Sequence, residues 1–212
     1  PVGETFNWVD LVSVELTTMM LATLFDFPFE DRHKLSYWSD LLTTNTEAAD
    51  AIVSSNEERR ERLGEMTRYF GEIWEERKNS EPSFDMISML AHNETTRDMS
   101  DEEFLGSLAL LIVGGNDTTR NSMSGSVLAL NKFPDQEKLL RSDPSLMAGF
   151  VSEVIRYQTP LTYMRRTALE DTELGGRQIA RGDRVVMWYI SGNFDDDVFE
   201  DPHTFDITRH NA

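Results

Sequence analysis

The feature that most limits how this chain can fold is residues 100–131, where a helical pattern of apolar residues meets no decisive breaker before Phe133-Pro134. Ser100-Asp101-Glu102-Glu103 opens the stretch as a capping box: the Ser100 hydroxyl can accept from the Glu103 amide while the Glu103 side chain reaches back. A helix of that length spans on the order of 45 Å and crosses a whole domain. Near its centre stands Gly114-Gly115-Asn116-Asp117-Thr118-Thr119, where each glycine costs roughly 1 kcal/mol relative to alanine. On its own, a Gly-Gly pair marks a kink or a close helix crossing. It also lets a flat body approach the backbone, while threonine hydroxyls bonded to i−4 carbonyls open the helix locally. A carboxylate and a hydroxyl side by side at that opening can pass protons. A phosphate-binding loop is rejected, because no lysine accompanies the threonines and Asp117 would repel phosphate.

Further helices are expected over residues 7–25, 31–46 and 54–78, the last densely charged on its wet face. Asp143-Pro144 offers an N-cap followed by proline at the first helical position, opening a helix that ends at Thr159-Pro160. The period then changes. Residues 166–174, the Gly175-Gly176 turn, the Arg181-Gly182-Asp183 turn and residues 185–190 read as short strands. The fold class is mainly α with a small β-sheet late in the chain, as one domain over residues 1–212, without repeats or low-complexity segments. Glu153 and Arg156, three apart on one helix face, form a surface bridge if taken alone.

Composition narrows the function by exclusion. Twenty Lys+Arg against 38 Asp+Glu leave a formal charge of −18, which disfavours nucleic-acid backbones and anionic lipid as partners. With no cysteine, the chain holds no disulfide, zinc–thiolate site or thiol nucleophile. His33, His92, His203 and His210 lie far apart and offer no metal-ligand spacing, and Asp195, Asp196 and Asp197 read as a solvated turn. No apolar run reaches the roughly 18 residues of a membrane span and no signal segment opens the chain, so a cytoplasmic location is expected. The start at Pro1 and the end at Ala212, without a terminating element, lead us to expect a sequence cut at both ends.

A long helix carrying Gly-Gly-x-Asp-Thr, then a helix with Glu-x-x-Arg, then Arg166-Thr167-Ala168 resembles, in this order and spacing, the cytochrome P450 family. Residues 110–136 and 159–176 look most like its bacterial soluble alkane and fatty-acid hydroxylases. The resemblance covers roughly half of a family member, from helix E to helix K and the start of the meander. It implies the following roles. Asp117 and Thr118 are the acid and alcohol of the oxygen-binding stretch. Gly114, Gly115 and Arg166 face the cofactor, haem b, with Arg166 on a propionate and Arg165 beside it. Glu153, Arg156 and Arg209, the last in Phe205-Asp206-Ile207-Thr208-Arg209, form the structural triad as a buried ion-pair network. Leu110, Val113, Gly114, Leu161, Tyr163 and Met164 form an apolar substrate wall.

The activity implied is hydroxylation of alkanes or fatty acids at the terminal carbon, using O2 and electrons from a ferredoxin and its reductase. A P450 acting on a terpene or another apolar ligand, and a noncatalytic acidic helical binding module, are the alternatives. The family's haem loop, with its iron-ligating cysteine, would follow shortly after Arg209 and lies outside these 212 residues. The chain by itself is therefore expected neither to bind haem through a thiolate nor to turn over substrate.

Overall fold

The computed structural model describes residues 3–212, which fall into two compact units, the first running to Arg120 and the second Asn121–Ala212. The first is all helical. A π-helical stretch, Val9–Val14, runs into α1 (Glu15–Phe25), and Asn7 Oδ1 caps its start by accepting from the Val9 amide. α1 stops at Asp26, which takes a left-handed conformation at φ 50°. α2 (His33–Thr43) and α3 (Asn56–Lys78) follow. The helix expected over 31–46 is shorter at both ends: residues Phe29–Asp31 form a 3-10 turn, and Thr44 is already extended. Ser55 caps α3 from its side chain, and Glu58 accepts from both the amide and the hydroxyl of Ser54. A short helix that the apolar pattern did not reveal, α4 (Met86–His92), starts at Asp85, whose carboxylate accepts from the Ser88 amide.

Stripes at four-residue steps build this unit's core. Met66, Phe70 and Trp74 form the buried stripe of the otherwise charged α3. In α5 (Asp101–Lys132) the matching stripe is Phe104, Leu108 and Ile112, with Phe104 stacked on Trp74 at a centroid distance of 4.2 Å. Leu21, Phe25, Leu35, Trp38, Leu41 and Ile87 close the core around them. The capping box opens α5 as its sequence requires, with Ser100 and Glu103 exchanging bonds of 2.9 and 3.3 Å.

The second unit holds the end of α5, then α6 (Pro134–Ser142), a 3-10 turn (Pro144–Leu146) and α7 (Met147–Gln158). Asp143 and Pro144 open that 3-10 turn rather than the α-helix, which starts only at Met147. The Asp143 carboxylate spends its capping capacity on the Ser145 amide and hydroxyl. Two antiparallel pairs follow: β1 (Tyr163–Thr167) with β4 (Arg184–Trp188), and β2 (Thr172–Leu174) with β3 (Arg177–Ile179). The strand expected over 166–174 is thus two strands in different sheets, and that over 185–190 ends at Trp188, where α8 (Tyr189–Asn193) begins. Gly175 and Gly176, at φ 57° and 76°, make the tight β2–β3 turn, a conformation that costs glycine little. Ala129, Val154, Phe205 and Ile207 are the unit's buried apolar centre. Gly149 lets the C-terminal segment approach α7, since a methyl group there would lie 2.6 Å from the Ile207 carbonyl oxygen.

Candidate active site

The first unit carries the acid–alcohol pair. The stripe Phe104, Leu108, Ile112 continues in register to Asn116, which is fully buried where an apolar residue would otherwise stand. Its polar groups are matched: Oδ1 accepts from Thr17 Oγ1 at 3.0 Å, and Nδ2 donates to Asp117 Oδ1 at 3.2 Å. One further step along the stripe is Arg120, whose Nη2 donates to Asp117 Oδ1 at 2.8 Å and lies 3.4 Å from Asp40 Oδ1 on α2. Thr43 Oγ1 stands 3.4 Å from Asp117 Oδ2 but donates at 2.9 Å to the Ser39 carbonyl. Oδ1 of Asp117 is therefore closely held and Oδ2 loosely. Burial raises the Asp117 carboxyl above its usual range. Arg120 opposes that rise and the Asp40 charge adds to it.

Leu110, Gly114 and Thr118 recur at four-residue steps on another face of α5, with Val113 adjoining. Leu110 is 71% exposed. Thr118 Oγ1 donates to the Gly114 carbonyl at 2.7 Å, the i−4 bond anticipated for this stretch. The two glycines differ. A Cβ at Gly115 would sit 2.7 Å from Leu21 Cδ2, whereas one at Gly114 would meet open space. Gly115 thus serves the packing of α1 on α5, and Gly114 is the glycine that leaves room for another body. Sequence reading missed Asp40, Thr43, Thr17 and Arg120. Only Arg120, three residues beyond Asp117, carried a local signal.

In the second unit, Glu153, Arg156 and Arg209 converge. Arg156 is bidentate to Glu153 at 2.7 and 2.8 Å, and it donates to the carbonyls of Asn193, Pro202 and Thr204. Glu153 also accepts from the Asp206 amide at 2.9 Å, and Arg209 Nε stands 3.5 Å from its other oxygen. Glu153 is fully buried and Arg156 nearly so, so the surface bridge that the spacing alone suggests is in fact an interior network. Arg209 adds bonds to the carbonyls of Glu200, Asp201 and Thr204.

Arg166 lies exposed on β1, its Nη1 3.2 Å from the Arg165 carbonyl, and among the described residues no carboxylate pairs with it. Strand alternation places Met164 on the Arg166 side, with its sulfur 3.8 Å from Nη1. Tyr163 points to the opposite face, its ring 5.0 Å from that of its cross-strand partner Trp188. Along β1, Tyr163 therefore faces away from Met164 and Arg166. Leu161, 43% exposed, precedes the strand.

These features test whether the residues suit a haem. An exposed arginine without a carboxylate suits a propionate. An open glycine backed by an exposed apolar helix face suits a flat apolar ring. A thiolate for the iron would have to come from outside these residues, which include no cysteine.

The first unit thus carries a carboxyl and a hydroxyl side by side on a long helix, and the second a buried Glu–Arg–Arg network and an exposed strand arginine. The sequence matches the Cytochrome P450 family over residues 4–212, and the chain belongs to that family. It is similar to the structure of cytochrome P450-153 from Novosphingobium aromaticivorans, with 50% identity and a TM-score of 0.84 over all of this chain and 50% of that one. It is 38% identical to linalool 8-monooxygenase of Pseudomonas putida, over 99% of this chain and 51% of that protein. It is 39% identical to steroid C26-monooxygenase of Mycolicibacterium smegmatis, over 96% and 46% respectively. The chain spans about half the length of the curated relatives it matches. Among the described residues no helix is long and apolar enough to cross a membrane.

Proposed function

We propose that these residues form the distal and structural-triad portion of a haem-thiolate monooxygenase that hydroxylates alkanes or fatty acids at the terminal carbon. The observation that carries this reading is the Thr118 hydroxyl, set on the Leu110–Gly114–Thr118 face beside a carboxyl whose titration is raised by burial. Haem b, with its cysteine ligand outside this chain, would supply O2 binding and the redox chemistry, and a ferredoxin with its reductase would supply the electrons. Arg166 would hold a propionate and Gly114 would admit the ring edge. Asp117 would exchange protons with solvent through its loosely held Oδ2. Thr118, whose own hydrogen goes to the Gly114 carbonyl, would present its hydroxyl oxygen as an acceptor on that face of α5 and so direct where that proton goes. By family position, Leu110 and Val113 in the first unit, and separately Leu161 and Met164 in the second, are apolar residues that would meet an alkyl chain and offer it few hydrogen bonds.

The names of the relatives, linalool 8-monooxygenase and steroid C26-monooxygenase, support an apolar substrate, and the first favours a terpene as the second reading. The complete enzyme, supplied with ferredoxin, reductase and either n-octane or linalool, separates the two. Octane converted mainly to 1-octanol is expected; turnover of linalool with none of octane would overturn the alkane assignment.

A further inference from the structure

Arg120 gives the same nitrogen to two carboxylates. Its Nη2 lies 2.8 Å from Asp117 Oδ1 and 3.4 Å from Asp40 Oδ1, and the three side chains are 23%, 22% and 43% exposed. Arg120 reaches them because it extends the buried stripe of α5 by one step beyond Asn116, toward α2. Among the described residues, the charged groups facing Asp117 are Arg120 on its own helix and Asp40 on α2. α2 also presents Thr43, and α1 acts through the Thr17–Asn116 pair.

We propose that Arg120 is a positioning residue for Asp117: it pins Oδ1, so that Oδ2 is the oxygen that gains and loses the proton, while Asp40 moderates the hold by drawing on the same Nη2. The proposal rests on Asp117 being the proton-carrying acid of the site. Oδ1 already accepts two hydrogen bonds, so protonating it would set a new O–H against two donors. Oδ2 faces the Thr43 hydroxyl at 3.4 Å, whose hydrogen is committed to the Ser39 carbonyl, and the Ser39 hydroxyl of the same helix also bears on the carboxyl; neither hydroxyl holds it as closely as Arg120 holds Oδ1. Neutralising Arg120 removes the opposite charge at hydrogen-bond distance and lets the carboxyl hold its proton more tightly. Neutralising Asp40 does the reverse, since it removes a like charge and leaves Nη2 to Asp117 alone of the two carboxylates.

The test is a pH titration of the Asp117 protonated-carboxyl stretch by infrared difference spectroscopy of the complete enzyme, with the band assigned by its loss in Asp117→Asn. Arg120→Gln is expected to shift the titration upward by about one pH unit. Asp40→Asn is expected to shift it downward by a few tenths of a unit, the smaller effect of a more exposed charge. If Arg120→Gln loses haem, Arg120→Lys carries the test, with a smaller upward shift expected because lysine keeps the charge but not the planar donor geometry. Shifts of the same sign, or none in either variant, would overturn the inference. In that case the reading of Asp117 itself still stands if Asp117→Asn slows proton-dependent turnover, and falls if turnover is unchanged.

Discussion

Glu153→Gln in the complete enzyme isolates what the interior ion-pair network contributes. Glu153 is fully buried and accepts from three donors, Arg156 Nε and Nη2 at 2.7 and 2.8 Å and the Asp206 amide at 2.9 Å, while Arg209 Nε stands as an ion-pair neighbour at 3.5 Å. Glutamine keeps the shape but has one acceptor oxygen. Its NH2 must then face one of the arginine donors, and Arg156 is left as a buried cation with only neutral carbonyls around it. Removing one partner of a buried pair costs about 3–5 kcal/mol, whereas an exposed pair is worth roughly 0–1 kcal/mol. Urea unfolding followed by haem absorbance and by circular dichroism should show a destabilisation in the upper range, with the two probes coinciding if loss is cooperative. Arg156→Lys should cost a comparable amount, because lysine cannot reproduce the bidentate pairing while serving three carbonyls. A cost below about 1 kcal/mol for Glu153→Gln would show that the network is not closed as described, and would refute its role as the clamp between α7 and the C-terminal segment.

Gly149→Ala places a methyl group 2.6 Å from the Ile207 carbonyl oxygen, and backbone cannot yield there as a side chain could. A loss of about 1–3 kcal/mol in the same unfolding assay is expected. Asp85 gives a pH-dependent test. Burial pushes its carboxyl up, but the Ser83 hydroxyl, the Ser88 amide and Arg77 outweigh that and hold it below the usual carboxylate range. A depressed folded-state value means that its contribution is present above the unfolded value and is lost as pH falls through the folded one. Stability measured down through the acid range below about pH 4 should therefore fall less steeply in Asp85→Asn than in the parent protein.

The parts of this fold legible in the sequence are those governed by local chemistry. Ser100 and Glu103 fix the start of α5, Phe133-Pro134 its end, and Gly175-Gly176 the β2–β3 turn. What escaped was set by partners distant in sequence. The Asp143 carboxylate caps a 3-10 turn, so the following α-helix begins three residues beyond the proline. Residues 166–174 have strand character throughout, yet Ala168 bonds to the Asp183 and Gly182 backbones and thereby divides the run between two sheets. At the site, the Asp–Thr pair and the Glu-x-x-Arg motif stand out in the chain. That Gly115 seats Leu21, that Asn116 is paid for by Thr17, and that Asp40 shares Arg120 all depend on α1 and α2 packing against α5, which no spacing announces. That Tyr163 and Met164 face opposite ways has a simpler cause, since they are neighbours on a strand.

The central claim is that Asp117 and Thr118 deliver protons productively in a haem monooxygenase, and its most direct test is product formed per electron consumed by Thr118→Ala in the complete enzyme. Losing a hydrogen bond worth about 1 kcal/mol at the point where two outcomes compete should lower that yield roughly fivefold, while substrate binding and haem content stay at parent levels. A yield equal to that of the parent enzyme would contradict the account.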